Sequence, residues 1–316
     1  MQHRLALVLA AVLTLGARAD DITGAIRIWA APTDAALLRA WGEGFQKLHP
    51  AAHVVVTAHG PESAMMGVYT GAADLSLLAR EMRLMAEYMA FTWALRYPPT
   101  TIEVAGAGAD TTRPHASLAV FVHENNPLSQ LTLAQLDALY GAERRRGGAP
   151  VKTWGDLGLA GVWRDRPVRV LGPEIDAIPA LFFRKAVLAD SSKWNPALAE
   201  FPGDAALLAA LAHDESAIAY APLHGAPAGV KTLALAAEAG GAFVALTAET
   251  ATSRAYPLAR AVTMIVNRAP GAAVDPRTKA FLQFLLSPEG QSIVARDGAC
   301  LPLTAAQARA ELKKIE

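Results

Sequence analysis

The sequence has little of several features that would point to common protein classes. It contains one cysteine, Cys300, in 316 residues, so no intramolecular disulfide can form. The 29 lysines and arginines are balanced by 29 aspartates and glutamates, which leaves no net charge to favour nucleic acid or an anionic membrane as a partner. We expect the single thiol to be a small buried core residue, because free cysteine packs as a hydrophobe.

Long apolar runs are also scarce, and the most prominent one lies at the N-terminus. Residues 1–19 read MQHRLALVLAAVLTLGARA, with a basic start, an apolar run from Leu5 to Leu15, and small residues at Ala17 and Ala19. The run is shorter than the about 20 residues that a membrane-spanning helix needs, and the pattern is typical of a secretory signal peptide. We therefore predict cleavage after Ala19, a periplasmic location, and a mature form without a membrane span.

Motifs of catalysis and metal binding are missing as well. The sequence has no Gly-x-Ser-x-Gly elbow, no His-Glu-x-x-His pair and no Walker loop, the motifs of many hydrolases, metalloproteases and nucleotide-binding proteins. Neither His49 and His53 nor His115 and His123 lie on one predicted helical face, so we predict no metal site. We predict a protein that is not an enzyme and needs no cofactor. The enzyme alternative is a serine- or carboxylate-based hydrolase without a visible motif.

Strand-like and helix-like segments alternate along the chain. Residues 25–30 and 53–58 have strand character, and the segment between them carries apolar residues at helical spacing. Strands separated by helices indicate an α/β fold with a mainly parallel sheet and helices on both faces. Further strands are predicted at 73–78, 117–123, 168–171, 217–221 and 262–267, and further helices at 63–69, 81–89, 132–140, 178–188, 205–213, 276–286 and 288–297.

Three segments carry a distinctive order of residues. Gly71 to Glu81 reads GAADLSLLARE, Ala217 to Tyr220 reads AIAY, and Phe281 to Gln291 reads FLQFLLSPEGQ. The first is similar to the pattern G-x-x-D-I … S-R … E, and the second to G-A-I-G-Y. In this order and spacing, nearly all of the chain after residue 19 resembles the phosphate-binding subunits of phosphate ABC transporters, which are periplasmic solute-binding proteins.

The resemblance implies a two-lobe periplasmic-binding-protein fold, with two crossover strands and a ligand cleft between the lobes. Lobe one would comprise residues 20–123 and 226–316, and lobe two residues 124–225, with crossings near 110–125 and 222–258. The implied partners are a small solute, either an anion or another small polar molecule, and an ABC permease. An alternative stays open, in which the same fold serves as a non-transport periplasmic sensing module or binds an envelope protein.

The resemblance also implies a binding site made of helix N-termini, where unpaired N–H groups and the helix dipole favour an anion. The matching residues of this sequence are Thr33 and Asp34 at the first helix, Glu62 and Ser63 at the second, and Arg80 after the third strand. These five residues are candidate ligand contacts.

A fourth matching segment departs from the family pattern, which there reads G-R-x-x-S-G-T. Residues 172–179 read GPEIDAIP, so proline replaces the arginine, and Ala-Ile-Pro replaces Ser-Gly-Thr. Each lost charge-assisted hydrogen bond is worth about 1.5–3 kcal/mol. Glu174 and Asp176 of this segment join the candidate ligand contacts, and with Glu62 they would oppose an anion. The sequence therefore predicts that the ligand is not simple orthophosphate.

Overall fold

The computed structural model describes residues 22–60, 63–109, 115–223 and 227–316. The predicted signal peptide and its cleavage point lie outside these residues. The strands are β1 (Gly24–Ala30), β2 (Ala52–Ala58), β3 (Leu75–Leu78), β4 (Thr100–Gly106), β5 (Leu118–His123), β6 (Gln130–Thr132), β7 (Arg169–Pro173), β8 (Ala199–Phe201), β9 (Ala217–Pro222), β10 (Val230–Thr232), β11 (Ala234–Ala236) and β12 (Ala261–Val266). The α-helices are α1 (Ala35–Leu48), α2 (Ala64–Tyr69), α3 (Ala90–Leu95), α4 (Leu133–Tyr140), α5 (Ile178–Ala186), α6 (Asp204–Ala212), α7 (Ala248–Thr252), α8 (Pro276–Leu285), α9 (Pro288–Asp297) and α10 (Ala305–Leu312).

Two five-stranded sheets divide the described chain into two lobes. The sheet of lobe one has the order β2-β1-β3-β12-β4, and the sheet of lobe two has the order β10-β5-β9-β7-β8. In lobe one, β1 pairs in parallel with β2 and β3, whereas β12 is antiparallel to both β3 and β4. The predicted α/β class is therefore confirmed, with mixed sheets in place of mainly parallel ones. The strand β12 runs antiparallel because it enters the first sheet on its return from the second lobe.

The core of lobe one forms where amphipathic helices cover its sheet. Helix α1 buries Leu38, Trp41 and Phe45 at helical spacing, and the Phe45 and Phe281 rings meet edge to face at 5.3 Å. Cys300 is buried in the same core, as the composition predicts.

An aromatic cluster fills the core of lobe two. The rings of Phe183 and Tyr220 stack at 3.8 Å, and Tyr140 packs edge-on against both. The Tyr140 hydroxyl donates to the carbonyls of Leu171 and Ile218 at 3.1 and 3.2 Å, so it ties neighbouring strands together. Burial raises the pKa of Tyr140 and of Tyr220 well above that of an exposed tyrosine, so both hydroxyls stay protonated at neutral pH.

Two chain segments cross side by side between the lobes. The first follows β4 and enters β5, and the second leads from Leu258 into β12. The Ala107 N–H donates to the Arg260 carbonyl at 2.9 Å, and the Leu118 N–H donates to the Leu258 carbonyl at 3.2 Å. These hydrogen bonds join the crossings into a paired hinge, and they place Arg260 beside the opening between the lobes.

The crossings differ in position from the lobe boundaries at 123 and 226 that the family resemblance implies. Strand β5 lies inside the second sheet, between β10 and β9, so the chain has already changed lobe before Leu118. Strand β10 also belongs to this sheet, and Tyr256 and Leu258 pack in the core of lobe two. The chain therefore returns to lobe one only after Leu258.

Candidate ligand-binding site

A cavity of about 370 Å³ opens between the two lobes. It lies at the carboxyl ends of the parallel strands β1 and β3, the edge of an α/β sheet where ligands characteristically bind. Lobe one, the crossing segments and the start of α5 all contribute to its wall. The lining residues are Ala31, Pro32, Thr33, Asp34, Ala64, Leu77, Leu78, Ala79, Arg80, His115, Ala116, Ile178, Pro179 and Arg260.

The chain after β1 supplies a buried carboxylate to this cavity. A short 3₁₀ turn, Pro32–Asp34, leads directly into α1, and Pro32 favours this start because its fixed φ suits the first helical position. The Asp34 carboxylate is only 4% exposed, and its Oδ1 lies 2.6 Å from Nε2 of His115 in the first crossing. Because a carboxylate only accepts hydrogen bonds, the His115 ring donates to it.

The chain after β3 supplies Arg80, whose guanidinium is held by a buried glutamate. The Nη1 and Nη2 atoms of Arg80 donate to Oε2 and Oε1 of Glu87 at 2.9 and 2.6 Å. Glu87 is 1% exposed and also accepts the Arg83 backbone N–H at 2.7 Å. The charge of Arg80 is therefore matched by a neighbouring carboxylate.

This ion pair depends on a departure from the predicted helix at residues 81–89. The backbone at Arg83 is extended, with ψ at 132°, and a π-helical turn begins only at Leu84 and ends at Met89. Helix α3 follows directly. The π-helical turn places Glu87 so that its carboxylate accepts both the Arg83 N–H and the Arg80 guanidinium. Such turns often occur at functional sites.

A second arginine reaches the cavity from the second crossing. Arg260 is 6% exposed, and its Nη2 and Nε donate to Glu81 Oε2 and Oε1 at 2.6 and 3.2 Å. Its Nη1 donates to the Ala116 carbonyl at 3.3 Å, and its guanidinium carbon lies 5.6 Å from the ring centre of Phe182 in lobe two. Arg260 thus contacts both crossings and both lobes.

Lobe two contributes an apolar wall. Ile178 and Pro179 line the cavity at the start of α5, and the N-cap residue Ala177 has no side-chain cap. Pro179 has no backbone N–H, so the first turn of α5 offers one donor fewer than an ordinary helix start.

The structure brings three of the predicted site residues together. Thr33, Asp34 and Arg80 line the cavity. Ser63 is the N-cap residue of α2 and directly precedes the lining residue Ala64. Glu62 lies outside the described residues.

The other two predicted residues lie apart from the cavity wall. Glu174 and Asp176 are exposed and are not among the residues that line the cavity. The backbone carbonyl of Asp176 accepts a hydrogen bond from Arg83 Nη1 at 2.9 Å, which links the two lobes. A ligand contact by either carboxylate stays a prediction.

His115 and Arg260 also line the cavity, and neither was predicted as a site residue from the sequence. Arg260 stands directly before β12, and its place beside a predicted crossover strand was the available signal. His115 stands three residues before β5, in the other crossing. Within the described ranges, no group of three His, Cys, Asp or Glu side chains is placed to hold a metal ion. None of the helices there is both long and apolar enough to cross a membrane.

Comparison with known proteins yields consistent matches. A family model described as a PBP superfamily domain matches residues 16–289. The phosphate-binding protein PstS of two Pseudomonas aeruginosa strains is 33% identical over 299 residues, which cover 94% of this chain and 89% of the relative. An ABC-type phosphate transport receptor from Vibrio cholerae has a TM-score of 0.56 at 18% identity, covering 88% of this chain and 100% of that one. PstS from Borrelia burgdorferi has a TM-score of 0.58 at 14% identity, covering 89% and 99%. At such identities the solved structures show the shared fold alone.

Proposed function

This chain belongs to the PBP superfamily, in the family of the phosphate-binding subunits of phosphate ABC transporters, and from this membership we propose that it is an exported solute receptor. In this proposal residues 1–19 are removed as a signal peptide, and the mature protein acts in the periplasm. It holds a small anion between its lobes and delivers it to an ABC permease. The observation that carries the proposal is the cavity between two lobes joined by a paired hinge. A protein that binds a solute without converting it chemically needs only a cavity of this kind.

We further propose that the anion is not simple orthophosphate. Among the described groups at the cavity, the guanidinium groups of Arg80 and Arg260 pair with the carboxylates of Glu87 and Glu81, and Asp34 adds a third carboxylate to the wall. A protonated His115 would bring this set only to neutrality. Among the described residues the cavity therefore has no surplus positive charge to offset the desolvation of a doubly charged ion.

The receptor role is tested with protein purified from its own cell envelope. Native mass spectrometry should show a retained small molecule, small-angle scattering should show a smaller radius of gyration once that molecule is bound, and N-terminal sequencing should begin at Asp20. An intact Met1 in a cytoplasmic fraction, or a chain that retains no solute, would contradict the role.

The ligand identity is tested by isothermal titration with orthophosphate at neutral pH and fixed salt. Weak or absent binding is expected. Saturable binding with a dissociation constant at or below about one micromolar would contradict this part of the proposal. The variant Pro179→Thr should increase phosphate affinity, because it restores a backbone N–H and adds a hydroxyl at the first turn of α5.

A further inference from the structure

The two walls of the cavity differ in chemical character. Among the described lining residues, the charged side chains come from lobe one and the crossings, whereas lobe two contributes the apolar residues Ile178 and Pro179. A ligand in the cavity would therefore meet charged side chains on the side of lobe one and the crossings, where apolar residues such as Leu77 and Leu78 also line the wall, and the apolar side chains of Ile178 and Pro179 on the side of lobe two.

The cavity is also larger than a simple tetrahedral oxyanion requires. Its volume of about 370 Å³ falls within the range of about 300–1,000 Å³ that is typical of pockets for organic ligands. An ion of five heavy atoms that bound the charged wall would leave the apolar wall in contact with water. Filling that space with an apolar group removes hydrocarbon surface from water and adds affinity.

The charged wall can accept one negative charge more readily than two. Both arginines already donate paired hydrogen bonds to glutamates, at 2.6 and 2.9 Å for Arg80 and at 2.6 and 3.2 Å for Arg260. At the start of α1 the Asp34 and Ala35 N–H groups donate to the Ala31 and Pro32 carbonyls, so this helix start offers a ligand mainly its partial positive charge. Such a partial charge suits a singly charged group.

We propose that the cavity takes a singly charged organic anion whose apolar substituent packs against Ile178 and Pro179. This inference rests on the proposed receptor function and names the class of its ligand. The anionic group lies toward Thr33, Arg80 and Arg260, and the substituent crosses the cavity to lobe two.

A series of alkanesulfonates tests this arrangement, because each carries one fixed negative charge and differs only in chain length. Isothermal titration with methane-, ethane-, propane- and butanesulfonate should show affinity rising about four-fold for each added methylene, as expected for a buried CH₂. The variant Ile178→Ala should reduce this dependence on chain length. The control Ile175→Ala alters an exposed isoleucine three residues earlier, outside the cavity wall, and should leave the dependence unchanged.

The possible outcomes separate the inference from the proposed function. Affinity that does not depend on chain length, or a dependence that Ile178→Ala leaves intact, would overturn the inference and leave the receptor role standing. Orthophosphate or sulfate binding more tightly than every sulfonate would overturn it too. If no probe binds, the inference fails, and the mass spectrum of the envelope-purified protein then decides on the receptor role separately.

Discussion

Replacing Glu81 by glutamine should convert the cavity into a better site for orthophosphate. In the wild-type protein the Nε and Nη2 groups of Arg260 donate to the two Glu81 oxygens at 3.2 and 2.6 Å. A glutamine side chain keeps one acceptor oxygen and replaces the other with an amide NH₂, which cannot accept a hydrogen bond. Glu81→Gln therefore removes one negative charge from the site and releases one guanidinium N–H for the ligand.

The size of the gain follows from the strength of one charge-assisted hydrogen bond. Such a bond contributes about 1.5–3 kcal/mol, so phosphate affinity should rise roughly ten- to a hundred-fold at 1.4 kcal/mol per factor of ten. The variant should also be less stable. Removing one partner of a buried pair costs about 3–5 kcal/mol, and the loss here should be smaller because the Glu81 side chain is 20% exposed.

The assay is isothermal titration with orthophosphate at low and at high salt, together with urea unfolding to measure stability. A matched control is Asp74→Asn, which breaks the 2.7 Å ion pair with Arg27. Asp74 directly precedes β3, at the end of the strand that lies away from the cavity. The variant removes one carboxylate from lobe one without altering the charge at the cavity, so phosphate binding should not change. A folded Glu81→Gln protein whose phosphate affinity is unchanged or lower would refute the reasoning that paired carboxylates set the ligand's charge.

Three further predictions concern the lobes and their contact. The variant Arg83→Ala loses the hydrogen bond to the Asp176 carbonyl across the cleft, so solute affinity should fall about three- to ten-fold and scattering should show a more open protein; unchanged values would contradict a closing role. Tyr140→Phe should lower the free energy of unfolding by about 1 kcal/mol, measured in urea, because two strand carbonyls lose their shared donor; an equally stable variant would contradict it. Burial raises the pKa of Asp74, but hydrogen bonds from Arg27 outweigh it and lower the pKa below its ordinary value. The ionised carboxylate therefore stabilises the fold at neutral pH, and the stability is lost as the pH falls from about 4; Asp74→Asn should be less stable at pH 7 and show a flatter acid dependence.

Much of the fold follows from local sequence patterns. The alternation of apolar residues marks β1 and β2, and helical spacing marks α1 between them. The lobe boundaries cannot be predicted from such local patterns, because the sequence of β5 resembles that of any buried strand. Its membership of the second sheet depends on pairing with β9, about a hundred residues away along the chain. Such long-range pairing leaves no local pattern.

In the candidate site, too, some residues were predicted from the sequence, whereas their long-range partners were not. The family resemblance points to Thr33 and Asp34 at the first helix and to Arg80 after the third strand, and all three line the cavity. The hydrogen-bond partners of the charged groups were not predicted from the sequence. Asp34 meets His115, 81 residues away, and Glu81 meets Arg260, 179 residues away. These contacts form because the two crossings bring distant segments together.

In the proposed receptor, the same crossings would couple the charge of the ligand to closure of the lobes. Arg260 donates to Glu81 of lobe one and to the Ala116 carbonyl of the first crossing, and it lies near Phe182 of lobe two. A ligand that took both of its hydrogen bonds away from Glu81 would leave that carboxylate without its partner and would disturb the hinge. A singly charged ligand that binds beside the intact pair avoids this cost, and contact of its apolar group with Ile178 favours the closed arrangement. Since a ligand shifts a conformational equilibrium only by its difference in affinity for the two states, the apolar wall of lobe two should contribute more to closure than the charged wall of lobe one.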